Sequence, residues 1–336
     1  MPGKIKLGNR LIGEGEPIFI VAEVANTHEG DVDTAHIMID QIKLTGVDAI
    51  KFQLHIPEAE MIRSHPKFVT QGKRALSVGG LAGLKKYAEQ SGLYFLCTPF
   101  SREAADLLEG IGVDAFKIGS GEMTDLPFIE HVAKKGKPMI ISTGMSEWDE
   151  IEEAVSLVRS YYTPFMLLHT VSVYPPDYSH LNLGIIAKMK MRYDVPIGLS
   201  DHTPEIFSSI AAVPYGIALV EKHYTLNRNQ VGTTDHKVSL EPREFSMLVD
   251  GIRKIEKACG SEKRILDEER PVIEWARHGV VSVKDISAGN VIEIDAVSTK
   301  RPLYDGIPAN DLDMVVGSTA KRDIPADSLI KWEDLE

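Results

Sequence analysis

Cysteine is nearly absent from this chain of 336 residues: Cys97 and Cys259 are its only two. Two cysteines cannot build a disulfide framework, so the fold must close on a hydrophobic core, and the length is ample for one. Aromatic residues are few, at 7%, and basic charge is in deficit. Against 49 Asp and Glu stand 37 Lys and Arg, leaving a net charge of −12. No basic stripe relieves that deficit, which argues against a nucleic-acid surface. A local group of lysines can still hold a small anion inside an acidic protein. No apolar run reaches about eighteen residues and no leader pattern opens the chain, so no membrane association is expected. A cytoplasmic protein is the expectation.

What the chain does have is rhythm. Eight apolar runs alternate with amphipathic stretches: "IFIVAE", "VDAIKFQ", "LYFLCTPF", "AFKIGSG", "PMIISTG", "FMLLHTVS", "VPIGLS" and "IALVEKHY". Near-continuous apolar runs are what parallel strands buried on both faces require. Eight βα units predict a (β/α)8 barrel over residues 1–260. A doubly wound open sheet is the alternative, but the Gly-rich first turn it normally carries is missing. The polar segment 261–278 reads as a linker. Beyond it, "KDISAGNVIEIDAV" (284–297) aligns without gaps onto "RDIPADSLIKWEDL" (322–335), pairing Asp285 with Asp323, Ala288 with Ala326 and Ile292 with Ile330. The repeat predicts a small pseudo-symmetric domain over 279–336.

Barrel enzymes carry their chemistry where strands end and loops begin. Here every strand ends in a polar group. The first delivers Glu23, with Asn26 and His28 beyond; the second Lys51 and Gln53; the third Thr98. The fourth delivers Lys117, Ser120 and Glu122, and the fifth Ser142 and Thr143. The sixth brings His169, Ser172 and Tyr174; the seventh Ser200, Asp201 and His202; the eighth Glu221 and His223, with Asp235 and His236 in its loop. Lys51 and Lys117 are the informative members, because an ammonium inside a strand pattern needs an anion or a carboxylate to receive it. Pairing with Glu23 and Glu221 in an ion network is the bland alternative; a small-anion site, with hydroxyls from Thr98 and Ser120, is the functional one. His202 and His223 end neighbouring strands about 5 Å apart. Two adjacent imidazoles with oxygens nearby suit a divalent metal, without choosing among Mn²⁺, Mg²⁺, Zn²⁺ and Co²⁺. His169 and Cys97 read as structural.

The ordered series "AEVANTHEGDVDTA", "KFQ", "CTPFS", "KIGSGEM", "STGM", "LLHTVSVYPP", "GLSDHT", "EKHYTL" and "TTDHKVSLEP" resembles the sialic acid synthases, which make N-acetylneuraminate, legionaminate and pseudaminate, and the related spore-coat polysaccharide proteins. "KRPLYDGIP" with its flanking repeat resembles their antifreeze-like (SAF) domain. The resemblance spans nearly the whole chain. It implies condensation of phosphoenolpyruvate with an N-acylated hexosamine, release of phosphate by C–O cleavage, and a divalent metal, Mn²⁺ or Mg²⁺ first. It implies phosphoenolpyruvate at Lys51, Thr98, Lys117, Ser120, Ser142 and Ser200. The sugar falls at Gln53, Glu122, Ser172, Tyr174 and Asp235. Glu23 and Glu221 fall at the reaction centre, with His202 and His223 on the metal. It also implies a domain-swapped homodimer in which Arg301 reaches the sugar's acyl group from the partner subunit. Two positions depart from the family: Asn26-Thr27-His28, where many members have Gly-x-Asn-His, and Ser172, where neuraminate synthases commonly carry Asn. A legionaminate, pseudaminate or other nonulosonate precursor therefore fits as well as the neuraminate one. Two rivals remain: another phosphoenolpyruvate-dependent sugar synthase acting on a phosphorylated sugar, and a non-catalytic sugar-binding protein. The first would want extra basic residues at the barrel mouth, and the second does not need buried lysines.

Overall fold

The structure, a computed structural model, describes residues 3–336. They divide into two compact units, which part between Gly260 and Ser261. The first opens with an antiparallel hairpin, β1 (Ile5–Leu7) and β2 (Arg10–Ile12), which the sequence pattern did not announce. Eight parallel strands follow: β3 (Phe19–Glu23), β4 (Ala49–Leu54), β5 (Tyr94–Pro99), β6 (Phe116–Ile118), β7 (Met139–Ser142), β8 (Phe165–Thr170), β9 (Ile197–Asp201) and β10 (Leu219–His223). Each matches one of the eight apolar runs. Neighbours pair in chain order and β10 pairs back onto β3, so the sheet curls into a barrel. It is nearly closed: the β5–β6 seam carries no ladder.

Strand residues alternate between the barrel interior and the helical layer. In the lower half the inward positions are apolar. Phe19, Val21, Ala49, Leu96, Ala115, Ile140, Met166, Leu168 and Leu219 form one buried cluster, joined by Ile5, Leu7 and Ile12 of the hairpin. The hairpin therefore plugs the bottom of the barrel. Outward positions such as Ile20, Ile50, Phe95, Ile141, Leu167 and Val220 join the larger cluster beneath the helices. Gly198, an inward position of β9, shows how tight the barrel interior is, since a Cβ there would lie 2.6 Å from both Leu168 Cδ2 and the Leu219 carbonyl oxygen.

The helices begin where the sequence provides caps. Asp31, Ser77, Ser101 and Asp125 each accept a backbone N–H in the first turn of the following helix. Glu147 and Glu241 open the helices Trp148–Ser160 and Pro242–Ala258 with reciprocal bonds to Glu150 and Glu244.

In the second unit, the segment read as a linker contains the helix Arg270–Ala276. Beyond it, β11 (Gly279–Ser282) pairs antiparallel with β12 (Val297–Lys300). The repeat is visible in the hydrogen bonds. Asp285 Oδ1 accepts from Ala326 N and Asp323 Oδ1 from Ala288 N, both at 2.8 Å. Between them Ile286 and Ile324 exchange both backbone bonds, at 2.9 and 2.8 Å. Ile292 and Ile330 occupy equivalent buried places in a separate core. The two copies thus cap each other's turns.

Candidate active site

In the upper half of the barrel the same inward positions turn polar. Above Val21 comes Glu23; above Ala49, Lys51 and Gln53; above Leu96, Thr98; above Ala115, Lys117; above Ile140, Ser142; above Leu219, Glu221 and His223. They line a cavity of about 270 Å³. Its walls contain fourteen of the residues selected from sequence: Glu23, Lys51, Gln53, Thr98, Lys117, Ser120, Glu122, Ser142, Ser172, Tyr174, Ser200, His202, Glu221 and His223. Asp235 is not in the wall; it sits in the loop after β10, accepting from Thr233 Oγ1 at 2.9 Å. Arg301 belongs to the second unit. Phe100, Gly119, Gly121, Met145 and Thr170 complete the lining. The glycines of "IGSG" stood out in the sequence as a place where backbone amides can approach an anion; Phe100, Met145 and Thr170 did not, although each lies one or two residues from a chosen position. A larger cavity of about 950 Å³ opens at the opposite end of the barrel, and Arg253 is already engaged there by Asp48 and Glu256. The convergent ionisable groups, not the size, place the site in the smaller one.

Lys51 is the hub. Its ammonium lies 3.0 Å from Glu23 Oε2 and 2.9 Å from Glu221 Oε2, with all three side chains buried. The ion network weighed against an anion site is therefore present for Lys51. Lys117 is bound differently. It donates to Ser142 Oγ at 2.6 Å and to the Ile118 carbonyl at 2.9 Å, and Glu221 Oε1 is 3.9 Å away. Its charge is the less fully answered of the two. Burial pushes the Lys117 ammonium down to about 8 despite Glu221. Burial also pushes Glu23 up to about 7, against the pull of Lys51. For Glu221, burial is outweighed by Lys117 and Lys51, which hold it down at about 2. Glu122 is pushed up to about 7 by burial, with Oε2 enclosed and unpartnered. The gradient across the cavity runs from a firmly ionised Glu221 to carboxyls near their midpoint at neutrality.

Beyond Glu221, at the ends of β9 and β10, the rings of His202 and His223 lie 5.2 Å apart, and Tyr174 stacks on His202 at 4.2 Å. His202 Nδ1 faces the Val171 carbonyl at 2.8 Å, so Nδ1 carries the proton and Nε2 is left as a lone pair. The Tyr174 hydroxyl now donates to that nitrogen, at 3.1 Å. His223 Nδ1 is buried with no partner. Burial lowers both imidazoles, His223 to about 3, which keeps them neutral. Two neutral neighbouring imidazoles, His223 with an unpartnered nitrogen and His202 with a lone pair met only by a tyrosine hydroxyl, fit a divalent cation. Among the described residues no third His, Cys, Asp or Glu completes a protein-only set. The remaining positions would fall to water or substrate oxygen, as an open catalytic metal site requires. His169 instead faces the Leu181 carbonyl at 2.7 Å, and burial raises the Cys97 thiol; both are structural.

The two lysines should differ on removal. Lys51→Met strands Glu23 and Glu221 beside each other and should cost about 3–5 kcal/mol in urea denaturation. Lys117→Met leaves Glu221 paired with Lys51 and should cost much less; equal losses would contradict this division. Glu122 offers a pH signature. The folded chain keeps the Glu122 proton up to about 7, whereas the unfolded chain releases it near the ordinary 4.5. Its contribution to stability therefore falls as pH rises through that window. Glu122→Gln removes the contribution, so the variant should gain on the wild type between about pH 4.5 and 7. Parallel stability curves would exclude the effect.

Comparison with known proteins identifies the family. Residues 38–264 match the NeuB family and residues 277–336 the SAF domain. An uncharacterized protein of Methanocaldococcus jannaschii is 39% identical over 99% of this chain and 98% of its own length. The N-acetylneuraminate-9-phosphate synthase of Homo sapiens is 34% identical, over 99% and 97%. The N,N'-diacetyllegionaminic acid synthase of Campylobacter jejuni is also 34% identical, over 93% and 98%. The crystal structure of the sialic acid synthetase of Leptospira borgpetersenii superposes with a TM-score of 0.77 at 35% identity, covering 82% of this chain and 96% of that one. With family models matched over both parts and relatives above 30% identical over nearly the whole chain, this chain belongs to the NeuB family of sialic and related nonulosonic acid synthases, and it carries a SAF domain at its C-terminal end.

Proposed function

We propose that the chain condenses phosphoenolpyruvate with an N-acylated hexosamine, using a divalent metal held by His202 and His223 and releasing phosphate by C–O cleavage. The observation that carries the proposal is the convergence of two buried lysines, two buried glutamates and two neutral histidines on one cavity. Phosphoenolpyruvate carries about three negative charges, which Lys117, Lys51 and the hydroxyls of Thr98, Ser120, Ser142 and Ser200 answer together. Gln53, Glu122, Ser172 and Tyr174 line the remainder and serve the sugar, with Asp235 at the rim. A metal held by His202 and His223 would supply Lewis acidity to the aldehyde oxygen while the enol carbon attacks the aldehyde carbon. Glu23 and Glu221 flank the carbon where positive character develops; they stabilise it and orient the water that adds there. The described lining contains no cation besides Lys51 and Lys117, which favours an unphosphorylated sugar.

A phosphate-release assay with phosphoenolpyruvate, Mn²⁺ and N-acylated hexosamines, each with and without a terminal phosphate, tests the proposal. Turnover is expected with a free sugar, loss of turnover in excess chelator, and a fall of roughly 10-fold or more in Mn²⁺ affinity for His202→Ala. Full activity after dialysis into EDTA would remove the metal from the reaction. A preference for the phosphorylated sugar would select the rival synthase.

Arg301 is proposed to act in a dimer, on the acyl group in the partner's barrel. Arg301→Ala and Lys117→Met, each nearly inactive alone, should restore activity when mixed, since one site in a mixed dimer regains both residues. Proven subunit exchange without recovery would assign Arg301 to its own chain or to no site.

A further inference from the structure

Behind the cavity, on the face of β9 and β10 turned toward the helices, lies a charged cluster that the proposed chemistry does not use. Strand alternation sends Ser200 and Glu221 into the cavity and sends Asp201 and Lys222 to the other side. These two are ladder partners. Lys222 Nζ lies 2.9 Å from Asp201 Oδ2, the side chains 0% and 1% exposed. Lys222 also donates to Thr203, to its carbonyl and, at 2.9 Å, to its Oγ1. Asp201 accepts the hydroxyls of Ser208 at 2.5 Å and Ser209 at 2.6 Å, both on the helix Phe207–Ala212. It also accepts Thr203 N–H at 2.9 Å. The cluster is fully satisfied, yet it occupies a layer otherwise built from aliphatic and aromatic side chains.

A buried ion pair is a poor route to stability, because a matched apolar pair does as well or better. Its location is what distinguishes this one. Asp201 precedes His202, and Lys222 precedes His223. The two imidazoles are also held unequally. His202 is anchored through Nδ1 to Val171, whereas His223 Nδ1 has no partner. With no such anchor at Nδ1, the ring of His223 is held by edge contacts with Tyr174 at 5.6 Å and His202 at 5.2 Å and by the strand that carries it. A one-residue slip between β9 and β10 would turn its side chain out of the cavity. We propose that the Lys222–Asp201 pair, tied to Thr203, Ser208 and Ser209, fixes the ends of β9 and β10 and thereby positions His202 and His223. The pair touches nothing in the cavity, so it is a positioning pair. Its functional consequence rests on the metal reading given above.

Removing one partner alone leaves a buried charge and can simply unfold the barrel, so the deciding variant is the double Asp201→Leu/Lys222→Met. It should fold, with a melting temperature within a few degrees of the wild type. Calorimetric titration with Mn²⁺ should show a loss of about 10–100-fold in affinity, while phosphoenolpyruvate binding in the absence of metal stays within about 2-fold. Wild-type Mn²⁺ affinity in the folded double variant would overturn the proposal, and so would equal losses for both ligands, which would mean general damage. If the wild type itself binds no Mn²⁺ and His202→Ala changes nothing, the metal reading fails separately. The crystal structure of the double variant then decides positioning: displaced or disordered imidazoles support it, and rings still 5.2 Å apart overturn it.

Discussion

Lys51 between Glu23 and Glu221 is the constraint around which the rest of the barrel mouth is arranged. Three charges have left water together, and they can do so only as a set. Glu23 ends β3, Lys51 stands on β4 and Glu221 on β10, and these strands are adjacent in the sheet. The network therefore depends on the return pairing of β10 onto β3 that curls the sheet. It also sets the electrostatics of everything nearby. Because Lys51 is committed to two carboxylates, Lys117 is left with two neutral acceptors and a more distant carboxylate, and so remains the better partner for an incoming anion. Because both lysines bear on Glu221, it stays ionised, while burial holds Glu23 and Glu122 near their midpoints.

The barrel is divided across its axis by a change in one pattern. Along every strand the inward residues are apolar first and polar afterwards, with no change of period. The lower half thus packs as an ordinary core closed by the hairpin, and the upper half becomes a cavity with a rigid floor. Rigidity matters for a site whose groups must meet within hydrogen-bonding distance. The outward residues beside those ends can then serve the site indirectly, as Asp201 and Lys222 do by joining β9, β10 and the following helix.

Much of this was legible in the chain itself. Lys51 inside "AIKFQ" and Lys117 inside "AFKIG" stood out because an ammonium is costly in a strand, and His202 and His223 because they close neighbouring apolar runs. The repeated Asp285 and Asp323 marked a pseudo-symmetric unit, and the structure shows each capping the other copy's turn. Other features gave no such signal. The hairpin at residues 5–12 is too short to show a period. Phe100, Met145 and Thr170 look like ordinary loop and strand residues. Asp201 read as a polar strand end like its neighbours and Lys222 was passed over, since nothing local says which face of a terminal residue looks inward.

By itself, then, the sequence determined the order of strands and helices, the height at which each strand turns polar, and the chemical kinds of group available there. Those follow from local rules: alternation, capping and the cost of a charge in an apolar run. The choice of partners was decided only by the tertiary structure. Glu23 and Glu221 are far apart in the chain, yet both reach Lys51, while Lys117 goes to Ser142. His202 is anchored by Val171 and His223 Nδ1 has no anchor. Such pairings depend on the stagger and closure of the whole sheet, which no short stretch of sequence encodes, because a contact between distant residues exists only once every intervening strand has taken its place.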